Sequence, residues 1–210
     1  RHRLIFTFRI CGDVKFISHH DTLRMFRRAL ARSELPIRYT EGFNPHPKLS
    51  LPVPRPVGLS SEDESLIVEL ERPVDPREAL SRLGSQMPAG VELVGAREAR
   101  PGESLRPARV RYRLDAGEPT AELRERVEHL RSAPTAPVSR KDPKGGRTKT
   151  IDVKRFLERL EWVEGEIEFV LRIDDDGAAI PSELAAILGF DPDSIMHRIR
   201  RMEVQWHSTT

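Results

Sequence analysis

Residues 3–10, Arg3-Leu4-Ile5-Phe6-Thr7-Phe8-Arg9-Ile10, and residues 18–33, SHHDTLRMFRRALARS, decide how the chain folds. In the first stretch Leu4, Phe6, Phe8 and Ile10 alternate with more polar neighbours, the period of a strand with one buried face. Gly12-Asp13 is a turn signal, and Val14–Ile17 reads as extended. From Ser18 the period lengthens to that of a helix. His19, Leu23, Phe26 and Leu30 fall on one face, the expected inner one, and His20, Arg24, Arg27, Arg28 and Ala31 on the other. Ser18 and Asp21 stand at capping-box spacing, and Pro36 closes the unit.

Outward from this strand and helix, 41–58 is irregular and rich in Gly and Pro, with an apolar stretch at Leu49–Val53. Ser65–Leu70 alternates as a strand, Pro76–Gln86 is a helix with Leu80 and Leu83 inward, and Val91–Ala96 is a strand. The order is β-α-β-β-α-β. After a poorly apolar linker at 100–107 the pattern recurs. Val110, Tyr112 and Leu114 mark a strand, and Thr120–Arg131 a helix. Short extended pieces flank a basic loop at 140–149, and Asp152–Leu160 reads as an extra helical turn or two. Glu166–Ile173 is a strand, Pro181–Leu188 a helix closed by Gly189, Asp193–His197 a short helix, and Met202–Trp206 a last strand. The fold expected is therefore α+β, two ferredoxin-like (βαββαβ) halves at 1–103 and 107–210, a pseudo-duplication without evident sequence identity between halves.

At 210 residues the chain has room for two small domains or one large one, and a mean hydropathy of −0.50 with no long apolar run argues against a membrane span. No apolar stretch precedes the first strand, so no signal peptide is expected. The single cysteine, Cys11, excludes an internal disulfide and any cysteine-based metal or iron–sulfur site. A cytoplasmic location, no metal and no cofactor follow as expectations.

Net charge is only +2, but the signs are segregated. Residues 1–60 carry 11 Lys/Arg against 4 Asp/Glu, residues 61–105 carry 5 against 10, and residues 136–159 carry 8 against 3. Two positive regions around an acidic one suit a polyanion-facing surface with a solvated back.

The least ordinary segment is Glu41-Gly42-Phe43-Asn44-Pro45-His46-Pro47-Lys48-Leu49-Ser50. Gly42 admits conformations closed to other residues, and two prolines stiffen the chain around His46. Such a loop displays Asn44, His46 and Lys48 at little entropic cost on binding. Upstream, the helix start at Ser18-His19-His20-Asp21 presents N–H groups suited to an anion, and Arg24, Arg27, Arg28 and Arg32 have the spacing of a phosphate rail or of a solvated helix face. The run Arg140-Lys141-Asp142-Pro143-Lys144-Gly145-Gly146-Arg147-Thr148-Lys149 has the composition of a loop that orders against a nucleic-acid backbone. Asp174-Asp175-Asp176-Gly177 lacks calcium-loop spacing and reads as a strand-ending turn.

Ser18-His19-His20-Asp21, Arg28–Arg32, the Gly42–Ser50 stretch and Gly58…Ser61-Glu62…Glu64 resemble the radical SAM-linked protein family, a bacterial domain of unknown function. Its members stand beside, or fused to, a B12-binding radical SAM protein. Lys144 to Arg155, with Asp152 and Arg155, is similar to that family's basic signature. The resemblance implies a substrate-handling accessory domain, a radical SAM partner, and a place in rRNA or tRNA metabolism. The chain lacks a Cys-x-x-x-Cys-x-x-Cys motif, so it is not itself the radical enzyme.

Three functions follow as expectations. In the first, the chain grips rRNA or tRNA without catalysis. Arg24, Arg27, Arg28, Lys48, Arg55, Lys144, Arg147, Lys149 and Arg155 would meet phosphates, Asn44 and His46 a base or sugar edge, with Ser18, His19, Asp21, Gly42 and Phe43 completing the site. In the second, His46 with His19 or His20 acts as acid and base in RNA cleavage or modification, or His19, Asp21 and His46 hold a metal. The doubled layout is similar to pseudouridine synthase cores and CRISPR-type endonucleases, but Gly42–Ser50 contains no catalytic carboxylate. In the third, the acidic 61–105 region is a protein-docking face. The first reading expects the His46 loop and both cationic clusters to converge on one cleft.

Overall fold

The structure is a computed structural model that describes residues 2–141, 146 and 148–207. It is a mixed α+β chain with four α-helices among the described residues, and it divides into two compact units, Arg1–Arg106 with His207–Thr210, and Pro107–Trp206.

The first unit contains β1 (His2–Ile10), α1 (His19–Arg32), β2 (Leu49–Ser50), β3 (Ser60–Leu70), α2 (Pro76–Gly84) and β4 (Val91–Glu98). β1 pairs antiparallel with both β3 and β4, and the two-residue β2 pairs with β3, giving the order β4-β1-β3-β2. The alternation in β1 works as its sequence dictates. Leu4, Phe6, Phe8 and Ile10 are buried with Leu66, Val68 and Leu70 of β3 against Phe26, Ala29 and Leu30 of α1 and Ala79 and Leu83 of α2. Phe8 meets Phe26 edge to face at 4.9 Å, the arrangement their quadrupoles favour.

Two local expectations are corrected here. Val14–Ile17 is not extended: Gly12, at φ +59°, turns the chain into a 3-10 helix over Gly12–Phe16. The inner face of α1 is carried by Thr22, Phe26, Ala29 and Leu30, while His19 and Leu23 are only half-buried. Thr22 goes inside because its hydroxyl donates to the Ser18 carbonyl at 2.9 Å, leaving no unpaired polar group.

The second unit contains β5 (Pro107–Leu114), α3 (Ala121–Ser132), β6 (Pro137–Lys141), β7 (Thr148–Asp152), β8 (Leu157–Val163), β9 (Glu166–Asp174), β10 (Gly177–Ala178), α4 (Pro181–Ile187) and β11 (Ile199–Trp206). β9 pairs with β8, β5 and the short β10, and β5 pairs with β11, all antiparallel; β6 and β7 form a separate hairpin. Val110, Tyr112 and Leu114 are buried, as are Phe169 and Leu171, with Tyr112 stacked on Phe169 at 5.3 Å. The expected helical turns at 152–160 are a 3-10 turn at Val153–Arg155 followed by a strand. A register shift between Leu157 and Arg159 puts Leu157 and Leu160 three apart in a strand, which in sequence mimics a helical spacing.

Between the apolar residues of β5 stand Arg109, Arg111 and Arg113, and they meet glutamates. Arg111 Nη1 and Arg113 Nε both donate to Glu168 Oε2, at 3.1 and 2.9 Å. Arg111 also reaches Glu203, and Arg200 reaches Glu166 at 2.7 Å. Much of the cationic charge of this unit is thereby neutralised within it.

Candidate functional site

The Gly42–Ser50 segment is held by a backbone ladder. Arg38 N–H donates to the Glu69 carbonyl at 2.9 Å, Lys48 N–H to the Arg38 carbonyl at 2.8 Å, and Glu69 N–H to the Lys48 carbonyl at 3.0 Å. Tyr39 bridges Pro47, and Thr40 N–H donates to the His46 carbonyl at 2.9 Å. The ladder leaves 41–45 as a tip, turned at Gly42 (φ +125°), a conformation that favours glycine. Phe43 at that tip is fully exposed, an unusual place for a large apolar ring. Asn44 and His46 are exposed as well, Lys48 is half-buried, and Tyr39 is partly exposed.

His46 is fixed from one side. Its Nδ1 lies 3.2 Å from the Asn44 carbonyl and 3.2 Å from Thr40 Oγ1, and its backbone N–H donates to that hydroxyl at 3.1 Å. A carbonyl only accepts, so the Asn44 contact suits the tautomer with its proton on Nδ1, which turns Nε2 outward as an acceptor. This places an oriented imidazole on a stiff loop.

Beside it lies a cleft of about 310 Å³ lined by Arg3 of β1, Arg27 of α1, Thr40, His46, Lys48, Ile67 and Glu69, Arg3 standing opposite Glu69 in the β1–β3 register. Arg27 and Glu69 form no ion pair with each other among the described residues. Arg27 Nε and Glu69 Oε2 are each shielded from solvent with no hydrogen-bond partner. Buried charged-group atoms without partners are costly.

A second cleft, of about 510 Å³, runs along α1 and is lined by Asp21, Arg24, Met25, Arg28 and Arg32 with Gln86. Ser18 caps α1, its hydroxyl accepting from Asp21 N–H at 3.1 Å and donating to the Asp21 carboxylate at 2.7 Å. That hydrogen bond, with Arg24 close by, holds the Asp21 carboxyl below its ordinary range. Arg24 reaches Asp21 at 3.3 Å, Arg32 donates to Gln86, and Arg28 is exposed. At 100° per residue Arg27 falls on one flank of α1, and Asp21, Met25 and Arg32 on the other. His46 and Lys48 thus share a cleft with Arg27, while Arg24 and Arg28 line the neighbouring one. The expectation of a single cleft is corrected to two on this helix. His19 and His20 lie with ring centroids 6.4 Å apart, and the described residues contain no His/Cys/Asp/Glu cluster able to hold a metal, so the His19, Asp21, His46 grouping does not form.

Arg55 is also corrected. It is buried, and its guanidinium donates to the carbonyls of Lys15 at 2.6 Å, Leu59 at 2.8 Å and Ile17 at 3.1 Å. It clamps the proline-rich loop to the entry of α1 and is not available to a phosphate.

In the second unit Lys149 is exposed on β7, while Lys144 and Arg147 lie outside the described residues. Arg155 pairs with Asp176 and lies over the Phe156 ring. Asp174-Asp175-Asp176-Gly177 is the β9–β10 turn, with Asp176 N–H donating to Asp174 Oδ1 at 3.0 Å. Arg140 is consumed in a pair with Glu183. Sequence reasoning missed Thr40 and Glu69. Glu69 sits in the acidic region read as a docking face, and its only signal is its place one residue before the end of a strand that the histidine loop must join.

Residues 3–181 match the family model described as an uncharacterized protein conserved in bacteria (DUF2344). That span is most of the chain, and the chain belongs to this bacterial family. No curated protein matches it.

Proposed function

We propose that this member of the family is a non-catalytic RNA-binding accessory domain that presents rRNA or tRNA to a B12-binding radical SAM enzyme, as its motif resemblance implies. The observation that carries the reading is the first cleft: Arg27 and Lys48 beside an oriented His46, with Phe43 fully exposed at the adjoining tip. Cations track a phosphate backbone, and an exposed ring offers a stacking platform that tolerates any base. The Arg24 and Arg28 surface on the same helix extends the electropositive track. No α-helix among the described residues is long and apolar enough to cross a membrane.

We read both units as ferredoxin-like. In the first, the order β4-β1-β3-β2 with two helices follows that plan. In the second, β11-β5-β9-β8 repeats it, with the β6–β7 hairpin inserted before β8.

Anisotropy titration of labelled tRNA and rRNA fragments at several salt concentrations tests the function. The expected result is saturable binding whose log affinity falls linearly with log salt, the mark of counterion release. Absence of binding at low salt would overturn it.

A further inference from the structure

Glu69 and Arg27 border one cleft, bear opposite charges, form no ion pair with each other among the described residues, and each keeps a charged-group atom without a partner. The two oxygens of a glutamate interchange by rotation about its terminal bond, so either can turn to a ligand. A carboxylate offers two acceptors side by side, and a guanidinium two donors side by side. The ligand that satisfies both needs a pair of adjacent donors on one edge and a pair of adjacent acceptors on the next.

Among the four RNA bases only guanine has both. Its N1–H and N2–H₂ groups are adjacent donors, and its O6 and N7 adjacent acceptors. Adenine alternates donor and acceptor, cytosine has adjacent acceptors at N3 and O2 but a single donor group, and uracil has one N–H between two carbonyls. From this we infer that the cleft holds a single guanine base, with N1–H and N2–H₂ donating to the Glu69 carboxylate and O6 and N7 accepting from the Arg27 guanidinium. Ile67 and Leu49 line the same cleft and supply apolar surface to the ring. A cleft of about 310 Å³ is at the lower end of small-ligand sites. Lys48, half-buried at the same cleft, is placed for the attached phosphate. The inference rests on the RNA-binding reading for the source of the base, which is either a nucleotide within RNA or free GMP.

Nine-residue oligoadenylates carrying guanine, inosine or adenine at the centre, titrated by anisotropy, together with GMP titrated directly by calorimetry, separate these possibilities. The expected result is at least about tenfold tighter binding of the guanine oligomer than of the inosine or adenine ones, since inosine lacks only the N2 amino group. Glu69→Gln should erase that ratio, bringing the guanine and inosine oligomers to the same affinity. The inosine comparison needs no variant, so it decides even if Glu69→Gln fails to fold. Equal binding of all three oligomers overturns the guanine site and leaves the RNA reading standing. Binding of GMP without binding of any oligomer keeps the guanine site and overturns the RNA reading. If neither GMP nor oligomers bind, both fall.

Discussion

Arg140 and Glu183 form a two-pronged pair: Nε donates to Oε1 at 2.6 Å and Nη2 to Oε2 at 2.7 Å, tying the β6–β7 hairpin to the start of α4. The same carboxylate accepts from the Ile180 backbone N–H at 2.9 Å, so it also caps the helix, and Arg140 Nη2 reaches the Ala178 carbonyl at 2.8 Å. An arginine in a basic, nucleic-acid-like run is thus spent on the fold. Glu183 is buried, and Arg140→Ala would leave its charge without its main partner. We expect a loss of roughly 2 kcal/mol in chemical denaturation, with RNA affinity changed no more than by any single exposed cation.

Gly90 is the second position where the backbone decides. Its φ is +89°, and a Cβ there would come within 2.7 Å of the Cys11 carbonyl oxygen. Gly90 and Cys11 are themselves joined, Cys11 N–H donating to the Gly90 carbonyl at 2.9 Å where β1 ends and β4 begins. Gly90→Ala should lower the melting temperature by several degrees, from about 1–3 kcal/mol of strain and clash. Gly84→Ala, at the helical end of α2 where a Cβ meets nothing within 4 Å, should raise the melting temperature slightly or leave it unchanged in the same measurement.

The parts of this chain legible in sequence are those where one period rules. β1 and α1 declare themselves because Leu4, Phe6, Phe8 and Ile10 alternate without a break, and because Ser18 can cap only one helix. β8 was hidden because a bulge at Glu158 shifts its alternation. The site follows the same logic. The Gly-Phe-Asn-Pro-His-Pro loop stands out by composition, so Phe43, Asn44, His46 and Lys48 could be named from the sequence. Glu69 could not: pairing across a sheet, with Glu69 N–H on the Lys48 carbonyl, brings it there from twenty-one residues away. Arg55 misled for the opposite reason, since nothing local reveals that a guanidinium will be claimed by backbone carbonyls of other segments.

Phe43 separates a binding role from a packing one. A fully exposed ring contributes nothing to the core, so Phe43→Ala should leave the denaturation midpoint unchanged within error. If single-stranded RNA stacks on it, the same variant should weaken oligonucleotide binding by about 5- to 100-fold, the range for loss of one stacked base. Unchanged affinity would remove Phe43 from the interface.

The cations divide into free and spent, and salt dependence distinguishes them. Lys48→Ala and Arg28→Ala should each weaken RNA binding across all sequences and lower the slope of log affinity against log salt by about one. Arg111→Ala should leave that slope unchanged, because Arg111 already donates to Glu168 and Glu203. Arg111→Ala should instead destabilise the sheet.

Acid titration should expose the ion pairs directly. Glu103 accepts from Arg97 at 2.7 and 2.9 Å and from the Arg100 backbone N–H at 2.8 Å. Chiefly through the Arg97 hydrogen bond, its carboxyl is lowered from 4.5 to about 2. Burial would raise the Glu168 carboxyl, but hydrogen bonds from Arg113 and Arg111 outweigh it, and the group is held below its ordinary range. A carboxyl depressed in the folded state binds protons more readily when unfolded, so unfolding takes up protons and stability drops as the pH is lowered. The Glu103 contribution is therefore full above about 4.5 and lost as the pH falls toward about 2. Glu103→Gln removes the titrating group while keeping the side chain's shape. The stability difference between wild type and Glu103→Gln, measured in urea at stepped pH, should be largest near neutrality and shrink below pH about 4.5. A difference constant down to pH about 2 would mean that the Arg97–Glu103 pair adds nothing specific to the folded state.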